Sequence, residues 1–150
     1  MELYGLTPGT YCFDVLSVAT ASDGCGEGPS SLAGGRLPLT YDDLTLGRVS
    51  LGTKGSFGTG LVSSNKGVLT RSGTSTRAVM PACTWHEEVA TSFELTATNR
   101  FTAAVTETHS MFAVGCAPPP ASDPCTTTFS MTMQIHSPAL QPDVATGVCP

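Results

Sequence analysis

Three ionisable residues, Glu87, Glu107 and His109, fall in rows of alternating residues that are otherwise mostly apolar. Two strand-like segments carry them, joined by a tight turn near Thr98-Asn99-Arg100. A register that keeps the apolar faces aligned sets Glu87 opposite His109, or one diagonal step away. It sets Glu107 opposite Val89 or Thr91. Directly opposed side chains on antiparallel strands start about 5 Å apart at Cβ, and diagonal ones about 7 Å. All three groups can then meet on one face, near Trp85, Met111 and Met131. A carboxylate beside an imidazole favours the imidazolium, and a second carboxylate repels the first. Such a cluster suits general acid–base chemistry, with His109, Glu87 and Glu107 as the candidate catalytic residues. It equally suits orienting a polar atom of a bound ligand. It also suits a wet barrel mouth with no further role.

The remaining chemistry-bearing residues point to less. His86 and His136 fall on outward rows, beside Glu88 and threonines, where solvation is the default. The alternation sets His109 on the opposite face from both, so a three-histidine metal site is not expected. Cys-X-X-Cys pairs and closely spaced Cys or His pairs are lacking, so neither a redox motif nor a zinc motif is legible. No cofactor is expected. Serines are plentiful without a Gly-X-Ser-X-Gly elbow. Gly58-Thr59-Gly60 and the glycines between positions 24 and 28 read as strand or turn glycines, not as a phosphate cradle. The sequence contains no Asn-X-Ser/Thr acceptor for N-glycosylation.

The elements that must position the cluster are strands. Residues 10–19, 36–41, 45–51, 56–63, 67–71, 76–80, 83–97, 101–114 and 126–136 read as strand candidates, separated by Gly, Pro and Asn signals. Helical periodicity is lacking; residues 41–44 offer at most one turn. Short sequential connections favour an antiparallel meander. The expected fold is all-β, an up-and-down antiparallel barrel of about eight strands, with a two-sheet sandwich as the alternative. Closure removes the exposed edges that long Thr-rich strands would otherwise present. The period of two places Trp85, Phe93, Leu95, Phe101, Val105, Met111, Phe129, Met131, Met133 and Ile135 in the core. Residues 1–136 form the expected domain, and residues 137–150 an irregular tail pinned by Cys149.

The six cysteines are Cys12, Cys25, Cys83, Cys116, Cys125 and Cys149. Their even count suggests three disulfides and an oxidising compartment. Cys116 and Cys125 flank a proline-rich loop, and a bridge there would staple its base. For the other four, Cys12–Cys25 with Cys83–Cys149 and Cys25–Cys83 with Cys12–Cys149 both remain open. Charged residues make up only 13% of the 150, about half the usual share. Net charge is −5 with seven scattered Lys and Arg residues, which argues against a nucleic-acid partner. No apolar run has the length of a membrane span. The first residues lack the pattern of a signal peptide. The expectation is therefore a mature exported chain: secreted, periplasmic or at the cell surface.

Gly9-Thr10-Tyr11, Asp23-Gly24-Cys25, the Trp85 strand after Cys83, and Cys116…Cys125 before a Thr-rich last strand form a pattern across most of the chain. In this it resembles exported bacterial proteins, many of them lipoproteins, and in architecture it resembles lipocalin-type barrels. Gly9-Thr10-Tyr11 stands where lipocalins carry Gly-X-Trp. The resemblance implies a barrel and no catalytic residues. The leading functional expectation is a small, mostly apolar ligand held inside the barrel by Trp85, Phe93, Met111, Phe129, Met131 and Met133. Two other expectations stand beside it. One is a small hydrolase or isomerase built on His109, Glu87 and Glu107; the other is a structural or adhesive surface module.

Overall fold

Alternating Thr, Val and aromatic residues pack well on a pleated surface, and here they build the strands Met80–Ala97, Arg100–Ser110 and Cys125–Ile135. A computed structural model describes residues 8–25, 32–42, 47–77, 80–97, 99–116, 122–137 and 140–150. Its strands are β1 (Gly9–Asp23), β2 (Arg36–Asp42), β3 (Arg48–Leu51), β4 (Gly58–Ser63), β5 (Lys66–Arg77), β6 (Met80–Ala97), β7 (Arg100–Ser110) and β8 (Cys125–Ile135). One 3-10 turn, Thr53–Gly55, joins β3 to β4. Each strand pairs antiparallel with the next, and β8 pairs with β1 to close the barrel. The barrel, not the sandwich, is the fold.

The inward rows fill the barrel. Phe13, Leu39, Val49, Leu51, Leu69, Phe93, Leu95, Phe101, Met131 and Met133 are fully buried. Phe101 meets Phe13 at 4.7 Å and Phe93 at 4.9 Å between ring centroids. Side chains therefore occupy the middle of the barrel, as eight strands of this size require. Phe57, just after the 3-10 turn, packs edge-on against Phe129 at 6.2 Å. The backbone carbonyl of Phe57 accepts a 2.7 Å hydrogen bond from the buried Thr91 hydroxyl. Phe57 and Phe129 thus cap this core at one end.

Strand lengths are unequal, and that shapes the same end. β4 pairs with β5 only as far as Thr59↔Thr70, whereas β5 runs on beside β6 to Arg77. β1 pairs with β2 only through Gly9–Asp14, whereas it continues beside β8 to Asp23↔Thr127, with bulges between Val15 and Ser17 and between Thr20 and Ser22. A five-stranded wall, β5–β6–β7–β8–β1, therefore stands above the Phe57–Phe129 cap.

The disulfides correct the expected pairing. Cys116 is bonded to Cys83, and Cys125 to Cys25; Cys116–Cys125 is not a bridge. Proximity in sequence misleads here, because the segment after Ser110 folds back over the start of β6. Ala113 donates its N–H to the Thr84 carbonyl at 2.8 Å, and Gly115 sits so close to Ala82 that a Cβ would fall 2.7 Å from its carbonyl oxygen. Cys12–Cys149 is formed, but the Cys25–Cys83 bridge expected with it is not, and neither Cys12–Cys25 nor Cys83–Cys149 is present. The Cys12–Cys149 bridge holds the tail over the outer face of β1 and β2, where Arg36 Nη1 donates to the Pro150 carbonyl at 2.6 Å. All six cysteines are paired, which fits an oxidising, extracytoplasmic environment. Among the described residues no helix is long and apolar enough to cross a membrane.

Other departures are local. The segments expected at 67–71 and 76–80 merge into the single strand β5, with β6 beginning at Met80. β7 stops at Ser110, four residues before its expected end, because Met111 adopts a left-handed backbone (φ 53°). Met111 is consequently 69% exposed and not in the core. Trp85 and Ile135 are half-buried rather than enclosed. The expected start of β3 at 45 and the single turn at 41–44 fall partly outside the described residues, as do three of the glycine-loop positions from 24 to 28.

Candidate functional site

Above the cap the inward rows change character. Leu69, Val89, Val105 and Phe129 form the last apolar layer, and all four are buried. The next inward positions are Arg71 on β5, Glu87 on β6, Glu107 on β7 and Thr127 on β8. Beyond them come Gly73 and Ser75, Trp85, His109 and Cys125. The register follows the expectation: Glu87 lies opposite His109, and Glu107 opposite Val89. On its other side His109 lies opposite Cys125, and Glu107 opposite Thr127.

His109 Nε2 is 3.9 Å from Glu87 Oε1 and 3.9 Å from Glu107 Oε2. Side-chain exposure rises across the cluster, from 9% for His109 to 14% for Glu87, 22% for Glu107 and 34% for Arg71. Glu87 is held from two sides. Ser75 donates its hydroxyl to Oε2, and Arg71 lies 3.5 Å from Oε1. The imidazole packs against Trp85 at 5.5 Å between centroids, and Trp85 stacks on Phe112 at 5.8 Å and 28°. Two buried nitrogens, Trp85 Nε1 and His109 Nε2, lack a hydrogen-bond partner among the described residues. Buried polar groups are nearly always paired, so two neighbouring exceptions mark a place that expects something else.

Space is present beside them. Gly73 lies opposite Glu87 on the same inward row, and a Cβ built on Gly73 would meet nothing within 4 Å. Two disulfides brace the surroundings. Cys83–Cys116 ties the start of β6 to the segment after β7, and Cys25–Cys125 ties the end of β1 to the start of β8. The sulfurs of Cys25 and Cys125 also lie within 4.8 Å of a His109 ring nitrogen. They are bonded to each other and offer no thiolate.

A general base needs its partner within about 2.6–3.2 Å. At 3.9 Å, His109 is beyond that reach from both carboxylates, so no His–Glu dyad is assembled. Protein-family models, curated proteins and solved structures yield no match to this chain.

The structure distributes the expected ligand-contacting residues differently. It brings Trp85 to the cluster. Phe93, Phe129, Met131 and Met133 are buried in the packed core, and Met111 points outward. His86 approaches Glu88 at 3.4 Å on the outer face. His136 is not merely solvated: its Nδ1 lies 2.8 Å from Asp14 Oδ2. The sequence reading missed Phe112 and Asp123. The Asp123 carboxylate accepts the backbone N–H groups of Met111 and Phe112 at 3.0 and 3.1 Å, which fixes Phe112 where it meets Trp85. An Asp shortly before a strand, facing a chain reversal, is the only signal that could have shown this.

Proposed function

We propose that the chain is an exported bacterial binding protein, secreted, periplasmic or surface-held, that takes a small, mostly apolar ligand into one end of its barrel. Trp85 and Phe112 lie against the ligand body, while Glu87, Glu107 and His109 orient its polar end. The likeness to lipocalins is one of architecture, with the binding seat moved from the filled centre to the mouth. What carries the reading is the pair of unpartnered buried nitrogens, Trp85 Nε1 and His109 Nε2, in a cluster where Gly73 leaves room beside Glu87. A polar end group satisfying both would recover about 1–3 kcal/mol for each.

Trp85 is the single tryptophan, so its emission reports on this seat alone. Titration with medium-chain alkyl alcohols, amines and carboxylates should shift that emission saturably, at one molecule per chain. Native mass spectrometry of freshly purified protein should show a retained small molecule. A spectrum that no amphiphile alters, together with a bare protein mass, would sink the reading.

A further inference from the structure

We infer that Glu87, Glu107 and His109 form a site for a divalent transition-metal ion, with zinc as the best fit. The inference goes beyond the binding of an apolar ligand; it shares the unpartnered His109 Nε2 with that reading and adds the convergence of three ligand residues and the Ser75 support. The first observation is convergence. His109 Nε2 is 3.9 Å from Glu87 Oε1 and from Glu107 Oε2, too far to hydrogen-bond, and one ligand atom from each of the three residues lies within 4.8 Å of the others. A point equidistant from such a triangle is roughly 2.3–2.5 Å from each atom, a few tenths of an ångström beyond the ~2.0–2.2 Å of zinc–imidazole and zinc–carboxylate bonds. Small rotamer adjustments close that difference.

The second observation is the imidazole. The His109 side chain is about nine-tenths buried, and its Nε2 points between the two carboxylates without a hydrogen-bond partner. An imidazole nitrogen aimed at two carboxylates supplies the third donor of a nitrogen-and-two-oxygen set that a dication can join. The charge count agrees. Arg71, Glu87 and Glu107 sum to −1, which a dication reverses to +1. The third observation is the support. The hydroxyl of Ser75 holds Glu87 Oε2, the kind of outer hydrogen bond that fixes metal-ligating carboxylates, and Oε1 lies between Arg71 at 3.5 Å and His109 at 3.9 Å. Two oxygens and one nitrogen suit Zn²⁺ or Mn²⁺ rather than Ca²⁺. Three protein ligands leave a fourth position for water or a further ligand. Alternation in the sequence already brings the three residues to one face: Glu107 and His109 stand two apart on β7, and Glu87 lies opposite His109 on β6.

The test uses the full disulfide-bonded chain, stripped with EDTA and titrated calorimetrically with ZnCl₂. The expected result is one zinc per chain, with Co²⁺ giving visible absorption bands of a low-coordinate site. Glu107→Gln and His109→Gln should each weaken zinc by more than about a hundredfold, and Ser75→Ala by about tenfold. His136→Ala, at the opposite end of the barrel, should leave the site unchanged. Thermal melts establish that each variant folds, and Glu107→Gln keeps the shape of the side chain it replaces. Zinc binding that is absent, or equal in wild type and Glu107→Gln, overturns the inference. The amphiphile titration repeated in EDTA reads ligand binding separately. A shift there without any zinc binding removes the ion and keeps the binding barrel, whereas zinc binding without a shift does the reverse.

Discussion

Gly73 is the residue on which the binding reading is easiest to test. Opposite it, Glu87 is held by Ser75 and Arg71 and cannot readily be altered without disturbing its neighbours. Gly73 by contrast faces open space on the inward row and has no unusual backbone that would exclude a side chain. Glycine inside a strand is otherwise unfavourable, because it packs nothing and loses the most entropy on folding. Gly73→Leu is expected to fill the space beside Glu87 and weaken amphiphile binding by at least about tenfold, roughly 1.4 kcal/mol. Its melting temperature should hold or rise slightly. Tryptophan emission and a thermal melt on one sample measure both. Loss of stability without loss of binding would mean that Gly73 serves close packing that a bare Cβ does not reveal.

Among the elements, β6, β7 and β8 were the most legible. Their strict alternation gave the inward rows and the pairing of Glu87 with His109, because a register slip of one residue would turn every Phe and Met outward. β5 was legible only in part. Its middle, Ser72-Gly73-Thr74-Ser75, carries no apolar signal, since it borders the polar end and not the core. The cysteine pairing was hidden for a different reason. Cys83–Cys116 depends on the fold-back after Met111, and Cys25–Cys125 on barrel closure between β1 and β8; neither leaves a local trace. Phe112 stayed unread because it follows the strand, where the period of two no longer applies. Since β1 above the cap is braced by β8 and by Cys25–Cys125, removing that bridge should loosen this wall first. The double variant Cys25→Ser/Cys125→Ser is expected to lose about 2–4 kcal/mol and to show faster amide exchange in β1 beyond Val15 and at the start of β8. Uniformly faster exchange over all eight strands would show that the bridge stabilises the barrel as a whole.

At the scale of the molecule, the filled core separates two ends with different work. The polar cluster, Trp85 and two disulfides occupy one end. On the other side of Phe13, Phe93 and Phe101, the Asp14 carboxylate meets His136 and accepts a 2.9 Å hydrogen bond from Arg36 Nε, and Arg36 in turn holds the terminal Pro150 carbonyl. This network fastens β1, β2, the end of β8 and the tail. Partial burial pushes the Asp14 carboxyl up, but the hydrogen bonds and charges of His136 and Arg36 outweigh it and hold the group below its ordinary value of 3.8. A lowered carboxyl pKa contributes stability that is fully present above the ordinary value and is lost as pH falls through the lowered one. Asp14→Asn should therefore lower the melting temperature at neutral pH, and the gap from wild type should narrow as pH drops below about 3.8. Among the described residues, the packed apolar core separates this network from the cluster. Tryptophan emission and amphiphile affinity of Asp14→Asn should accordingly match wild type at neutral pH. A melting gap that stays constant down to acid pH would remove the electrostatic account of this network, while a shift in Trp85 emission would show that the two ends communicate through the core.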